Sequence, residues 1–323
     1  MASLHILDVG HGNCAVLVEK QSAVVIDAGR GRTLLDFLEA HGITEIRYVL
    51  VSHADSDHID GLTSLFAAST KVPIGDLYVN PDRAKNTKRW EILVYTMGEN
   101  TNSHLEITSK QPSKLRFADI DIEILAPAQQ WAALGRDLRG NRLRPNTLSA
   151  VIRLIKDRRP LILLAADIDQ LVVDEWLRTG RNVEADTLVF PHHGGRPGRG
   201  DPVVFARQLC ELVRPNTIIF SIGRTARFLN PRPDIVSAIR SALPQARILC
   251  TQLSVNCATS IPVGHPDHLS GEPALGKFEK VCCAGTISVD FTQPLSNIKP
   301  DHGAHRLWLR GNVPKALCMK IGR

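Results

Sequence analysis

Six residues, His53-Ala54-Asp55-Ser56-Asp57-His58, separate an apolar run from the start of a helix-like one. The run before them, Tyr48-Val49-Leu50-Val51-Ser52, reads as a buried strand. The stretch after them, Ile59-Asp60-Gly61-Leu62-Thr63-Ser64-Leu65-Phe66, reads as the start of a helix. Two imidazoles and two carboxylates in one tight strand-to-helix turn can converge on a point. Borderline and hard divalent metals take that mixture of nitrogen and oxygen donors. A helix cap would need one acceptor, not four ligand-type side chains.

The rest of the chain repeats the grammar. Residues 4–9, 15–18 and 23–26 read as strands, 33–41 as a helix with Leu34, Leu35 and Leu38 on one face, 76–79 as a strand and 84–97 as a helix. Residues 114–117 and 120–125 read as a hairpin turning at Ala118-Asp119. Strands are expected at 147–155, 161–166, 187–190, 217–221, 247–250 and 286–291, and helices at 171–178, 203–213 and 234–243. Two strand-rich halves with helices between them predict two mixed sheets packed face to face with helices outside. We expect one domain over residues 1–292, an insertion at about 254–280, and a loosely structured basic tail over 293–323 in which His302 and His305 are surface residues.

Net charge is +6, and residues 299–323 hold six Lys and Arg against one Asp, so most of that charge is a property of the tail. Such a tail can track phosphates or simply be solvated. No apolar stretch is long enough to span a bilayer, and the N-terminus has no basic region leading to a cleavage site. Seven cysteines in 323 residues do not form a disulfide framework. The expected location is cytoplasmic. Cys250, Cys257, His265, His268, Cys282 and Cys283 lie in or beside the insertion, and four of them could bind an additional structural zinc; buried free thiols are the alternative.

Further ligand-type residues close other strands. Asp167 follows the apolar run 161–166, where a carboxylate is costly unless paired or coordinated. His192-His193 follows the strand at 187–190 and precedes two glycines. Asp27, in Ile26-Asp27-Ala28-Gly29, can orient a ligand from behind.

The order of these pieces over residues 3–292 resembles the metallo-β-lactamase superfamily, most closely the nuclease-like domain of ComEC-type DNA-uptake competence proteins. The matching stretches are Leu7-Asp8-Val9-Gly10-His11-Gly12-Asn13-Cys14, Ile26-Asp27-Ala28-Gly29, the His-x-Asp-x-Asp-His run, Asn146-Thr147-Leu148-Ser149, Ala166-Asp167-Ile168, Pro191-His192-His193-Gly194 and Ser221-Ile222-Gly223. At position 55 the superfamily at large has His, and the competence-type branch has Asp, as here. The resemblance implies an α/β fold, a four-layer αββα sandwich, with two divalent metal ions (Mn2+, Zn2+ or Mg2+) between the sheets. It implies that His53 and Asp55 hold the first ion, Asp57 and His58 the second, that Asp167 bridges them, and that His193 or else His192 completes the second site. The usual third histidine of the first site is absent. Asn146 stands in that region, which makes the first site oxygen-rich and tilts it toward manganese or magnesium relative to zinc. The branch's Tyr-Gly-His-Pro run is here Asn230-Pro231-Arg232-Pro233, so an arginine, able to clamp a phosphate, replaces a histidine able to protonate a leaving group.

The expected function is phosphodiester hydrolysis by a stand-alone nuclease on DNA or RNA, with Asp57, His58 and Asp167 catalytic and Asp57 taking the water's proton. Arg144, Asn146, Arg196 and Arg232 are the expected substrate contacts. Arg83, Lys85, Lys88, Arg89 with Trp90, the group Arg136, Arg139 and Arg142 beside Arg144, and Arg199 beside Arg196 are further basic candidates. The alternatives are a hydrolase of a small cyclic or signalling nucleotide and a metal-stabilised interaction module that binds a protein partner.

Overall fold

The computed structural model describes residues 2–68, 72–80, 87–100, 102–104, 107–110, 114–198, 200–263, 266–291 and 297–319. In chain order the first half runs β1 (Ser3–Ile6), β2 (Ala15–Glu19), β3 (Ser22–Ile26), α1 (Thr33–Ala40), β4 (Glu45–Val51), α2 (Ser56–Ile59), α3 (Leu62–Ala67), β5 (Ile74–Val79), α4 (Lys88–Asn100) and β6 (Asn102–His104). The second half runs β7 (Leu115–Phe117), β8 (Ile120–Ala126), α5 (Gln129–Leu134), β9 (Val151–Lys156), β10 (Arg159–Leu164), α6 (Gln170–Thr179), β11 (Thr187–Val189), α7 (Pro202–Val213), β12 (Thr217–Phe220), α8 (Pro233–Ala242) and β13 (Arg247–Cys250). It closes with α9 (Leu275–Phe278), β14 (Ile287–Asp290), β15 (Ile298–Lys299) and α10 (His302–Asn312).

One sheet has the order β15-β14-β1-β2-β3-β4-β5-β6 and the other β13-β12-β11-β10-β9-β8-β7. Strand alternation sorts their side chains into three cores. Leu4, Leu17, Leu50, Ile152, Ile162 and Ile219 meet between the sheets. Val16, Val49 and Val51 turn the other way and pack under Leu34, Phe37 and Leu38 of α1 and Leu65 of α3. On the far side Leu163, Leu188 and Ile218 pack under Val172 and Trp176 of α6, Phe205 and Leu209 of α7, and Ile235 and Ile239 of α8. Two sheets sharing one core, each roofed by helices, make the four-layer αββα sandwich of the metallo-β-lactamase fold.

Local chemistry sets the helix ends. Pro202 opens α7, and Asp201 accepts hydrogen bonds from the amides of Val203 and Val204. The Asp169 carboxylate accepts from Leu171 N at the start of α6, and Gly180 closes that helix with φ 62°. Strands β3, β4 and β5 are mutually parallel, as are β10, β11, β12 and β13. Their carboxyl ends carry Asp27, the His53–His58 turn, Asp167, the His192-His193 turn and Ser221.

Several expectations are corrected. The region expected as a loose tail is folded over residues 298–319: β15 adds to the first sheet, and Leu309, Val313, Ala316 and Leu317 join the core of the second. His302 is exposed, as expected, but His305 is 2% exposed. Residues 146–148 form a 3-10 turn rather than the start of a strand, because Asn80 Nδ2 donates to the carbonyls of Leu148 and Ser52 and fixes that turn against β4. Among the described residues no helix is long and apolar enough to cross a membrane.

Candidate metal centre

The His53–His58 turn hangs from a buried anchor. Asp27 Oδ1 accepts from Ser52 N at 2.7 Å, and Asp27 Oδ2 accepts from Ser52 Oγ at 2.8 Å and lies 2.7 Å from His58 Nδ1. With Nδ1 held by the carboxylate, His58 turns Nε2 toward Asp167, as a metal-binding histidine does. His193 is aimed in the same way: Nδ1 donates to the Ser221 carbonyl at 2.8 Å, and Nε2 lies 3.1 Å from Asp57 Oδ2. Backbone strain gathers here. Asp27, Ala166, His192 and His193 have φ of 56°, 48°, 51° and 55°, the left-handed region that residues with a Cβ seldom occupy. Gly12 (φ 147°) brings the β1–β2 loop so close that a Cβ on it would lie 2.4 Å from Asp57 O.

Asp167 is the hub. Its Oδ1 lies 3.6 Å from His58 Nε2 and 3.9 Å from His193 Nε2. Its Oδ2 lies 3.5 Å from His192 Nδ1 and 3.9 Å from His53 Nε2, which is 3.8 Å from Asp55 Oδ2. These separations exceed hydrogen-bond length. Two donors on one tetrahedral ion with bonds of ~2.1 Å lie ~3.4 Å apart. Ligand atoms of Asp57, His58, Asp167 and His193 all fall within 4.8 Å of one another. Buried His58 Nε2 and His192 Nε2 have no hydrogen-bond partner among the described residues. The donor set therefore fits divalent metal.

Electrostatics agree. Burial raises the Asp167 carboxyl, but His192 and His58 outweigh it and hold the group well below the ordinary carboxylate range. Burial likewise raises Asp57, and the His193 hydrogen bond with the charges of His58 and His193 brings it down. Burial lowers His58, yet Asp27 and Asp167 push it well above its usual value; His193 is raised by its Asp57 hydrogen bond and by Asp167 against the same penalty. Without metal, protons supply the positive charge that these carboxylates require.

The centre opens into a cleft of about 650 Å³, lined among others by Asp55, Asp57, Asp167, His192 and His193. Arg30, Arg89, Arg196 and Arg227 stand on its walls. Of the expected substrate contacts, only Arg196 is placed there. Arg232 turns away to pair bidentately with Asp234 at 3.0 and 2.5 Å. Exposed Arg144 and half-buried Asn146 do not line the cleft. Arg89 Nη1 lies 2.5 Å from Asp60, and Trp90 packs against the helix-covered core instead of facing the cleft. Arg83, Lys85 and Arg199 lie outside the described residues.

Sequence reasoning missed Arg30, Arg227, Phe228 and the role of His11. The rings of His11 and Phe228 stack at 4.0 Å, His11 Nε2 lies 3.7 Å from Asp57 Oδ2, and Arg227 sits 5.0 Å over the Phe228 ring. Burial, with His193 beside it, lowers His11 to about 4. Only the position of His11 between two glycines in a strand-following loop hinted at this.

Among the described residues, Cys250, Cys257, His268, Cys282 and Cys283 do not gather into the expected zinc site. Cys282 Sγ turns to Asp8 at 3.6 Å, Cys283 Sγ lies 3.4 Å from His305 Nε2, and Cys257 Sγ accepts from Leu317 N at 3.4 Å. Burial raises the Cys282 and Cys283 thiols, so they pack as protonated apolar groups. His265 lies outside the described residues.

Residues 23–197 match the model of the Beta-lactamase superfamily domain. ComE operon protein 3 of Bacillus subtilis (strain 168) is 23% identical over 209 residues, which is 65% of this chain and 24% of that protein. The chain thus spans about a quarter of the length of that curated relative. Among solved structures, the metallo-beta-lactamase fold protein YhfI from Bacillus subtilis aligns with a TM-score of 0.49 at 11% identity, covering 77% of this chain and 96% of that one. Igni18, a metallo hydrolase from Ignicoccus hospitalis, aligns with a TM-score of 0.42 at 13% identity over 90% of this chain and all of that one.

Proposed function

The chain belongs to the metallo-β-lactamase superfamily, and from that premise we propose that it is a metal-dependent phosphodiester hydrolase acting on DNA or RNA. One observation carries the reading: the two oxygens of Asp167 face two different donor groups at the floor of an arginine-walled cleft. Two divalent ions are assigned to them. His53, Asp55 and His192 would hold one, and Asp57, His58 and His193 the other, with Asp167 within reach of both. His192 thereby takes the place of the histidine that the resemblance leaves missing. Each group then offers two imidazoles and two carboxylates, which suits zinc or manganese better than magnesium.

When bound, the ions supply an activated water and neutralise charge on the phosphoryl oxygens. The chain's own residues do the rest. Asp27 and the Ser221 carbonyl hold His58 and His193 in the ligand tautomer. Asp57, kept deprotonated, takes the proton of the attacking water. Arg30, Arg196 and Arg227 hold the phosphate backbone, and Phe228 offers a ring edge to a base.

The test is cleavage of labelled single- and double-stranded DNA and RNA, and of small phosphodiesters, with manganese, zinc or magnesium, beside His58→Ala and Asp167→Asn. Metal-dependent cleavage of a polymer, lost in both variants, is expected. Turnover of small diesters alone would move the assignment to a small nucleotide, for which the cleft has room. Retained metal with no turnover of any phosphodiester would overturn hydrolysis and leave the interaction-module reading.

A further inference from the structure

A second cluster of metal-type side chains lies outside the cleft, on the helix-covered face of the first sheet. His5 is the third residue of β1, and its neighbours Leu4 and Ile6 point into the core between the sheets, so His5 points outward. There it meets α1: its ring lies 4.8 Å from Phe37 and 5.1 Å from His41, the residue that ends that helix. Glu272, from the segment before α9, completes the group. Glu272 Oε1 lies 3.6 Å from His5 Nδ1, and Glu272 Oε2 lies 2.7 Å from His41 Nε2. Ligand atoms of the three residues fall within 4.8 Å of one another.

We propose that His5, His41 and Glu272 form a further zinc site, independent of the cleft, which staples the 254–280 segment to β1 and α1. Two imidazoles and one carboxylate with an open fourth position are a donor set that zinc accepts. The surroundings are prepared for it. Ser3 Oγ lies 2.9 Å from His5 Nε2, so that nitrogen is engaged from behind while Nδ1 faces Glu272. Ser288, directly across the ladder from His5, places Oγ 3.0 Å from Nδ1 and has to release that contact for the ion. The 3.6 Å separation already matches two ligands of one ion. The 2.7 Å hydrogen bond between His41 and Glu272 has to open by about 0.7 Å. Glu272 is poised for this: Lys277 Nζ donates to its carbonyl at 2.6 Å and to that of Ser270 at 2.7 Å, which fixes the turn. The His41 and Glu272 side chains keep 25% and 20% exposure, so an ion can reach them from solvent.

The staple joins segments far apart in the chain. Glu272 is followed by Ala274, which bridges to Asp8, and by Gly276, whose amide donates to Asp8 Oδ2 at 2.9 Å. An ion holding Glu272 would hold this stretch on the end of β1.

The experiment counts cobalt and zinc per chain after gel filtration in stoichiometric metal, on the full chain, with the cobalt absorption spectrum as a second readout. A His58→Ala background, with Asp57→Asn as the alternative if His58→Ala does not fold, weakens the cleft so that the staple is counted separately. The expected result is that adding His41→Ala or Glu272→Gln to that background lowers cobalt by one per chain and removes the share of the intense visible absorption that one low-coordinate ion contributes. In wild type, the same additions should lower zinc by one per chain and abolish part of the zinc-induced rise in melting temperature. Equal metal content and equal cobalt spectra with and without His41 would overturn the proposal and leave a hydrogen-bonded triad. Because the count is taken on a weakened cleft, absence of phosphodiesterase activity bears on the cleft reading and not on this one.

Discussion

Asp27 shows how one residue governs the centre without facing the cleft. It is 2% exposed, and its oxygens serve the Ser52 amide, the Ser52 hydroxyl and the His58 ring together. Asp27→Asn keeps the size but loses the charge and places a donor where two acceptors are needed. We expect metal affinity to fall about 10- to 100-fold while far-UV circular dichroism stays native, measured by competition against a chromophoric chelator. Unchanged affinity would show that the His58 ring needs no orientation from behind. At this scale the candidate site was legible in the sequence where a polar residue interrupts an apolar run: His53 to His58, Asp167 and the His192-His193 pair each close a strand, where a buried polar side chain is costly unless it is paired or coordinated. The cleft walls were not legible. Arg30, Arg227 and Phe228 come from loops whose approach depends on tertiary packing, and nothing in their local pattern separates them from Arg232, which spends its charge on Asp234.

Among the elements, the central strands and helices were readable because their periods are clean: Leu34, Phe37 and Leu38 in α1, and Phe205, Leu209 and Val213 in α7, all bury on one face. Helix α10 was not. Its sequence, HGAHRLWLRGN, mixes two glycines with charges and buries only His305 and Leu309 fully, so no apolar stripe announces it. Its place depends on the Asp301 cap, which accepts from Ala304 N at 2.9 Å, and on the docking of His305 beside Cys283 and His268. That docking makes it acid-sensitive. Burial, with His268, Arg247 and His302 nearby, lowers His305 to about 3. An unfolded histidine titrates near 6.5, so between those values the undocked chain binds a proton that the docked one refuses. Stability from this residue is intact above about pH 6.5 and declines by about 1.4 kcal/mol for each pH unit below it, until the folded value is reached. Fluorescence of Trp308, whose ring lies 5.1 Å from His268, should report release of α10 as pH falls from 7 to 4. His305→Leu should shift that transition to lower pH. The same acid midpoint in both proteins would rule out His305 as its cause.

The whole molecule turns two sheets so that their parallel strands end at one cleft, and on the proposed nuclease reading this geometry decides where the polymer lies. Ligands of open α/β sheets gather at the carboxyl ends of strands, and here both sheets point those ends at Asp167. The described basic residues of 299–323, Lys299, Arg306, Arg310 and Lys315, are placed elsewhere: β15 edges the first sheet, α10 roofs the second, and neither lines the cleft. On that reading two basic surfaces compete for the phosphate backbone, and salt dependence separates them. Each phosphate neutralised contributes about 0.7 to 0.9 to the slope of log affinity against log salt. In the catalytically weakened Asp167→Asn background, anisotropy of a labelled single strand titrated at several salt concentrations should give slopes reduced by about one for Arg196→Ala and again for Arg227→Ala. Arg232→Ala, whose side chain is bound to Asp234 outside the cleft, should leave the slope unchanged, and so should Arg306→Ala on α10. If Arg306→Ala lowers the slope and the cleft variants do not, the polymer binds across the second sheet's helices. The metal centre would then act on a substrate small enough to enter the cleft alone.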